Sequence, residues 1–245
     1  MKTKGRSTPE QQPADYYFLE PAVAFIRGVS KQEGEFVIPS RLQDTPLENL
    51  SPGEKEEILR LGQRADLHLK KFKRAYAAMP RIRRSLGFLQ STAPESLLDI
   101  GSGRGNFLWP CLDTFPWLPV TPLEFTPRRH ELHKTVELGG MSRLTPVFGD
   151  IQSLGPEAFE GRTFDVVTFL EVLEHLPDPE KAVQSAVRLA RRHVILSVPS
   201  QPDDNPEHIH LFNETVLTEM FRNHGIKSIC FDHVPGHLFA FVTLP

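Results

Sequence analysis

Two stretches of this 245-residue chain carry residue types that can do chemistry together. The first is Leu97-Leu98-Asp99-Ile100-Gly101-Ser102-Gly103-Arg104-Gly105, an apolar run that breaks into glycines at alternate positions. Glycine lets a chain turn sharply and lets a ligand touch the backbone. A helix opening behind such a turn offers free N–H groups to a polar or anionic ligand. Taken alone the turn is a weak signal, because tight strand–helix connections also use glycine structurally. Two carboxylates strengthen it. Glu124 ends the next apolar run about twenty residues on, where a carboxylate can accept from both ribose hydroxyls. Asp150, after Gly149, ends the third run, where it can receive an adenine amino group. A nucleoside ligand fits all three. The spacing G-x-G-x-G is not the dinucleotide pattern G-x-G-x-x-G, which disfavours a nicotinamide dehydrogenase.

The second stretch is Glu171-Val172-Leu173-Glu174-His175. If the turn after its strand is helical, Glu171, Glu174 and His175 fall at i, i+3 and i+4 on one face. Two carboxylates and an imidazole there make a divalent-metal half-site. His208 and His210 follow the next strand and reach the same mouth. His233 and His237 flank a Pro235-Gly236 turn, an end expected to lie away from the ligand.

The elements that must position these residues begin near Pro94. From there short apolar runs alternate with helical patterns: strands at Ser96–Ile100, Val120–Glu124, Leu144–Phe148, Phe164–Leu170, His193–Val198, Lys227–His233 and Leu238–Thr243, and helices near 106–115, 127–139, 179–190 and 214–224. Such alternation implies an α/β fold with a parallel sheet covered on both faces. The last two strands are joined only by Pro235-Gly236, which forces an antiparallel hairpin. Before Pro94 no such rhythm appears. Residues 1–15 read as a frayed tail, 16–94 as a helical cap and 95–245 as the ligand-binding domain. The cap contains a helix over 53–78 and a second over 81–89. Pro122 inside the second strand removes a ladder donor and predicts a short or bulged strand.

Leu97–Gly105, Glu124, Gly149-Asp150 and Phe164-Asp165-Val166-Val167 together resemble the successive motifs of class I S-adenosylmethionine-dependent methyltransferases. The resemblance covers roughly 96–245. It implies a Rossmann-like seven-stranded sheet of order 3-2-1-4-5-7-6 with strand 7 antiparallel, in agreement with the hairpin. By position, Asp99, Gly101 and Gly103 would cradle the methionine part of S-adenosylmethionine, Glu124 the ribose, and Asp150 and Ile151 the adenine, with Glu171 also on the cofactor side. In that broad family an acid and a histidine after strand four are common without metal. Glu171-x-x-Glu174-His175 with a later His210-Leu211-Phe212 is similar to a narrower set, the ubiquinone-pathway O-methyltransferases and the small-RNA 3′-terminal 2′-O-methyltransferases. That similarity implies a divalent cation (Mg, Mn or Zn) on Glu171, Glu174, His175 and His210, with His208 in reserve. Glu174 and His175 are the expected catalytic pair. Without a metal, His175 would serve as general base.

Composition bounds the rest. An apolar share of 39% with net charge −3 excludes a disordered chain. Apolar runs are strand-sized, so no membrane span is expected. Two cysteines, both read as small core residues, make neither a disulfide framework nor a four-cysteine site, which points to the cytoplasm. Between Arg60 and Arg84, Arg60, Arg64, Lys70, Lys71, Lys73, Arg74, Arg81, Arg83 and Arg84 face only Asp66. The ordinary reading is a solvated helix face; the sharper one is an anion or RNA surface. The expected function is O-methylation of a small-molecule hydroxyl. RNA 2′-O-methylation and a non-catalytic nucleoside-binding regulatory domain are the rivals. Oligomeric state is left open.

Overall fold

A computed structural model describes residues 12–32, 34 and 36–245. The expected tail therefore lies outside the described residues over 1–11, while Ala14–Tyr16 form a 3-10 turn. Described strands β1 (Leu97–Ile100), β2 (Val120–Glu124), β3 (Val147–Phe148), β4 (Phe164–Leu170), β5 (Ala190–Pro199), β6 (Ser228–Val234) and β7 (His237–Thr243) form one sheet of order 3-2-1-4-5-7-6. All pairings through β5 are parallel, and β7 runs antiparallel to both β5 and β6.

Residue alternation along the strands builds two cores. Val166, Ile195, Phe239 and Phe241 face one side of the sheet, whereas Val167, Val194, Leu196, Leu238, Ala240 and Val242 face the other. That period of two is what a sheet buried on both faces requires. The second side is covered by α7 (Pro179–Leu189) and α8 (Glu214–Arg222). Each starts on a side-chain cap: Asp178 accepts from the Lys181 N–H and Asn213 from the Val216 N–H.

The first side carries α5 (Leu108–Thr114) and α6 (Pro127–Leu138) together with the N-terminal segment, whose helices are α1 (Leu19–Gln32), α2 (Ser40–Asp44), α3 (Pro52–Arg64) and α4 (Pro80–Thr92). Pro110 lies in the first turn of α5, where no intrahelical donor is needed. Phe18, Phe25 and Phe72 from the N-terminal segment pack with Trp109, so both parts share one core.

Three expectations are corrected. The helix over 53–78 stops at Arg64; Asp66 is left-handed (φ 55°) and two 3-10 turns follow. Phe72 lends its carbonyl to the Phe18 N–H at 2.8 Å, a pairing with a distant segment that a continuous helix would forbid. Cys230 is exposed, while Cys111 is buried. Pro122 does not bulge β2. Val120 and Glu124, two residues to either side, make their backbone bonds with the β3 side, through Arg143, Thr145 and Gly149. Pro122 shares that orientation, so its missing donor falls on the two-residue edge strand next to Pro146, and the β1 side stays intact, with Leu123 O accepting from Gly101 N.

Candidate active site

The glycine turn leaves β1 with Gly101 at φ 69° and Gly103 at φ 57°, conformations that disfavour any side chain. A Cβ on Gly101 would meet Val172 at 2.5 Å, whereas one on Gly103 would meet only a carbonyl at 3.7 Å. Gly101 is thus demanded by packing, and Gly103 leaves open space for a ligand.

Behind the turn lies Asp99, with Oδ1 accepting from the Thr168 hydroxyl at 2.7 Å. Its Oδ2 is buried without a partner, and burial pushes the carboxyl up to about 6. Glu124, at the end of β2, is buried; its two oxygens accept from the Gly103 and Thr126 N–H groups, each at 2.9 Å. This carboxylate therefore also ties the turn to the second strand. Asp150 accepts from the Gln152 N–H at 2.9 Å, and the Gln152 side-chain oxygen Oε1 accepts from the Asp178 N–H, which links the third strand to the start of α7. Ile151 is buried.

A cavity of about 610 Å³ runs between Glu124, Phe125, Asp150 and Leu176. It meets a second one of about 360 Å³ lined by Asp99, Gly103, Arg104 and Arg81. Gly101, Arg129, Glu171 and His175 belong to both walls. The glycine turn, the ends of β2 and β3, and the end of β4 thus converge where open α/β sheets place their ligands.

At the end of β4 the segment is not a helix with three residues on one face. Glu171 is left-handed (φ 60°), and only Leu173–His175 make a 3-10 turn. Glu171 therefore points elsewhere: Oε1 accepts from the Ser197 hydroxyl at 2.6 Å and Oε2 from His237 Nδ1 at 2.9 Å. Glu174 is fully buried with neither oxygen hydrogen-bonded, and burial followed by the charge of Glu171 pushes it up to about 8. His175 Nε2 and His208 Nε2 each stand 4.0 Å from Glu174 Oε1. His175 Nδ1 is on the Glu207 carbonyl at 3.0 Å, and His208 Nδ1 on Asp203 at 2.8 Å. Both Nδ1 atoms are the donors in those bonds, so in the neutral imidazoles the two Nε2 lone pairs face one buried carboxylate. An imidazole whose far nitrogen is fixed by a carbonyl or carboxylate is the usual arrangement of a metal-binding histidine.

The structure brings together only part of the set expected to hold a metal. Glu174, His175 and His208 have ligand atoms within 4.8 Å of one another. His210 Nε2 lies on the Leu176 carbonyl at 3.0 Å instead, and Glu171 is taken up by Ser197 and His237. The residue that sequence reasoning set aside is His237. β7 is antiparallel to β5, so its first residue pairs with Pro199 at the carboxyl end of the sheet, beside the site rather than away from it.

Four residues of the basic run make contacts within the chain. Arg74 pairs with Asp113 and Arg84 with Asp232, while Lys71 lies over the Phe25 ring and Lys73 over Tyr16. Among the described residues no helix is long and apolar enough to cross a membrane.

Comparison with known proteins completes the picture. A family model described as a methyltransferase domain matches residues 71–230. Over 162 residues the chain is 30% identical to a ubiquinone biosynthesis O-methyltransferase of Ralstonia nicotianae, covering 62% of this chain and 63% of that protein. Over 84 residues it is 34% identical to ribosomal RNA small subunit methyltransferase G of Chloroflexus aggregans, covering 34% of this chain and 35% of the relative. The chain therefore spans less than two thirds of either relative. The fold also matches the N-terminal domain of EvdMO1 solved with S-adenosylhomocysteine bound, at a TM-score of 0.53 and 16% identity, over 67% of this chain and 80% of that one. With the glycine turn, the strand-end carboxylates and the 3-2-1-4-5-7-6 sheet in place, the chain belongs to the class I S-adenosylmethionine-dependent methyltransferases.

Proposed function

We propose that this methyltransferase O-methylates a hydroxyl of a small molecule, with a divalent cation held by Glu174, His175 and His208. One observation carries the reading: a buried carboxylate with two unpartnered oxygens faces two bare imidazole nitrogens. A buried carboxylate without a hydrogen bond is costly unless a cation or a proton meets it.

On this reading Asp99, Gly101 and Gly103 hold the methionine part of the cofactor, Glu124 the ribose, and Asp150 the adenine amino group against Ile151. S-adenosylmethionine supplies an electrophilic methyl on sulfur, and the cation (Mg, Mn or Zn) lowers the pKa of a hydroxyl bound to it. The chain's own part is to line up the acceptor oxygen with that methyl and exclude competing water. In the absence of the cation, His175 Nε2, with Nδ1 on the Glu207 carbonyl, is the group placed to take the hydroxyl proton.

Calorimetric titration of the protein with Mg²⁺, Mn²⁺ and Zn²⁺, followed by methyl transfer to catechol, polyol and sugar acceptors, tests both halves. E174Q and H208A should lose metal affinity and at least a hundredfold in turnover, while S-adenosylhomocysteine affinity changes less than threefold. H210A is the control for the rearranged ligand set and should bind metal as the wild type does. Absence of metal binding, with turnover intact in chelator, would sink the metal.

The partial likeness to a ribosomal RNA methyltransferase favours an RNA acceptor as second reading. It is weakened because Lys71, Lys73, Arg74 and Arg84 are engaged within the chain. RNA affinity that falls steeply with salt would restore it.

A further inference from the structure

Glu171 is held more firmly than a side chain that merely lines a pocket. Its left-handed backbone is unlike the other non-glycine residues of positive φ: Ala93 and Glu160 close helices, and Asp66 follows the end of α3. Glu171 instead directly follows a buried strand, and its N–H donates to the Ser197 carbonyl at 3.0 Å. The same Ser197, fully buried on β5, donates its hydroxyl to Oε1. His237 of β7 donates to Oε2.

The proton on His237 is fixed by chemistry. Its Nε2 stands 3.5 Å from Arg81 Nη1, and a guanidinium only donates, so Nε2 carries the lone pair and Nδ1 the hydrogen. Arg81 opens α4, so a contact from the N-terminal segment stands behind the imidazole, which stands behind the carboxylate. Both anchors lie on β5 and β7. The carboxylate itself is in the wall common to the two cavities, with Gly101 and His175.

A carboxylate locked from behind at the junction of the cofactor and acceptor spaces is suited to one ligand feature: positive charge at the transferred methyl. The sulfonium of S-adenosylmethionine carries that charge, and the thioether of S-adenosylhomocysteine does not. We propose that Glu171 tells the charged methyl donor from its neutral product, and that His237 is the positioning residue that keeps the carboxylate aimed. This rests on the cofactor lying between the glycine turn and the end of β4, and not on the identity of the acceptor. The device would favour loading of the donor and release of the spent product.

Binding calorimetry tests it without any acceptor, using S-adenosylmethionine, S-adenosylhomocysteine and sinefungin, an analogue with an ammonium-bearing carbon in place of the sulfonium methyl. Wild-type protein should bind the two cationic ligands at least tenfold more tightly than S-adenosylhomocysteine. E171Q and H237F should each cut that ratio at least fivefold while S-adenosylhomocysteine affinity stays within threefold. H237N, whose amide nitrogen can stand in for Nδ1, should restore most of the ratio. Nitrogen-15 spectra should show His237 protonated on Nδ1. A wild-type ratio near one, a ratio indifferent to E171Q, or His237 protonated on Nε2 would overturn the proposal. Methylation of nitrogen rather than a hydroxyl would overturn the O-methyl reading and leave this ratio untouched; loss of the ratio would leave the O-methyl reading standing.

Discussion

Asp99 shows how a single buried carboxyl can make ligand binding depend on pH. Burial raises it from an ordinary 3.8 to about 6, against the pull of the Thr168 and Ser102 hydroxyls. A folded-state value above the unfolded one means the free protein gains stability from this group below about pH 4 and loses it as pH rises through 6. A cofactor ammonium beside Oδ2 would reverse the preference by favouring the ionised form. S-adenosylhomocysteine affinity should therefore weaken as pH falls below 6, by up to tenfold per unit, and D99N should bind weakly with a flat profile. A wild-type profile that is flat from pH 5 to 8 would show that Asp99 does not meet the ammonium. Legibility of the site varied at this scale. Glu124 and Asp150 stood out because strand ends are recognisable from apolar runs. His210 was preferred to His208, whereas it is His208 that lies beside Glu174 and His175; residues two apart on an extended segment are equivalent until something decides which one turns inward. His237 was missed although the means to find it were present: an antiparallel last strand must begin where its parallel neighbour ends.

At the scale of elements, two helices meet through glycines in a way that composition hides. A Cβ on Gly28 of α1 would lie 1.9 Å from the Thr135 carbonyl of α6, and one on Gly139, just past α6, 1.6 Å from the Ala24 carbonyl. The backbones of α1 and α6 approach closely because those side chains are absent. Gly87 in α4 has open space where its Cβ would be. Opposite outcomes follow for the same substitution. G28A should destabilise by overpacking, by about 1–3 kcal/mol, and G87A should stabilise the helix by about 0.5–1 kcal/mol. Urea titrations of the two variants check both signs, and equal shifts would refute the close-packed crossing. Element type was largely legible from periodicity, as β4, α7 and α8 illustrate. The end of α3 was not, since Leu, Lys, Arg and Ala continue past Arg64 and the break comes from Phe72 pairing with Phe18, which lies 54 positions away. Pro122 looked like a defect and is a device of the edge. The two-residue β3 tolerates it because the donor it removes would have served that edge alone.

For the whole molecule, the question is whether the N-terminal segment is an appendage. The sequence changes rhythm near Pro94, yet the packing does not. Phe18, Ile26, Phe72 and Leu89 lie in the same core cluster as Trp109, Val120, Ile195 and Phe241, and Phe88 stacks on Phe241 at 4.7 Å. The segment supplies part of the cover for one sheet face, which a parallel sheet cannot leave bare. It also supplies Arg81 behind His237, so the fold of residues 16–94 and the geometry of the site are coupled. The sequence shows where the rhythm changes and not which apolar faces meet, so this shared packing is not legible in it. The 245-residue chain should unfold in a single cooperative transition whether followed by far-ultraviolet dichroism or by tryptophan fluorescence. A fragment of residues 95–245 should expose the first sheet face, bind a hydrophobic dye and melt without cooperativity. A fragment that melts cooperatively and binds S-adenosylhomocysteine as the full chain does would make the N-terminal segment a dispensable cover, and would remove Arg81 from any part in setting the site.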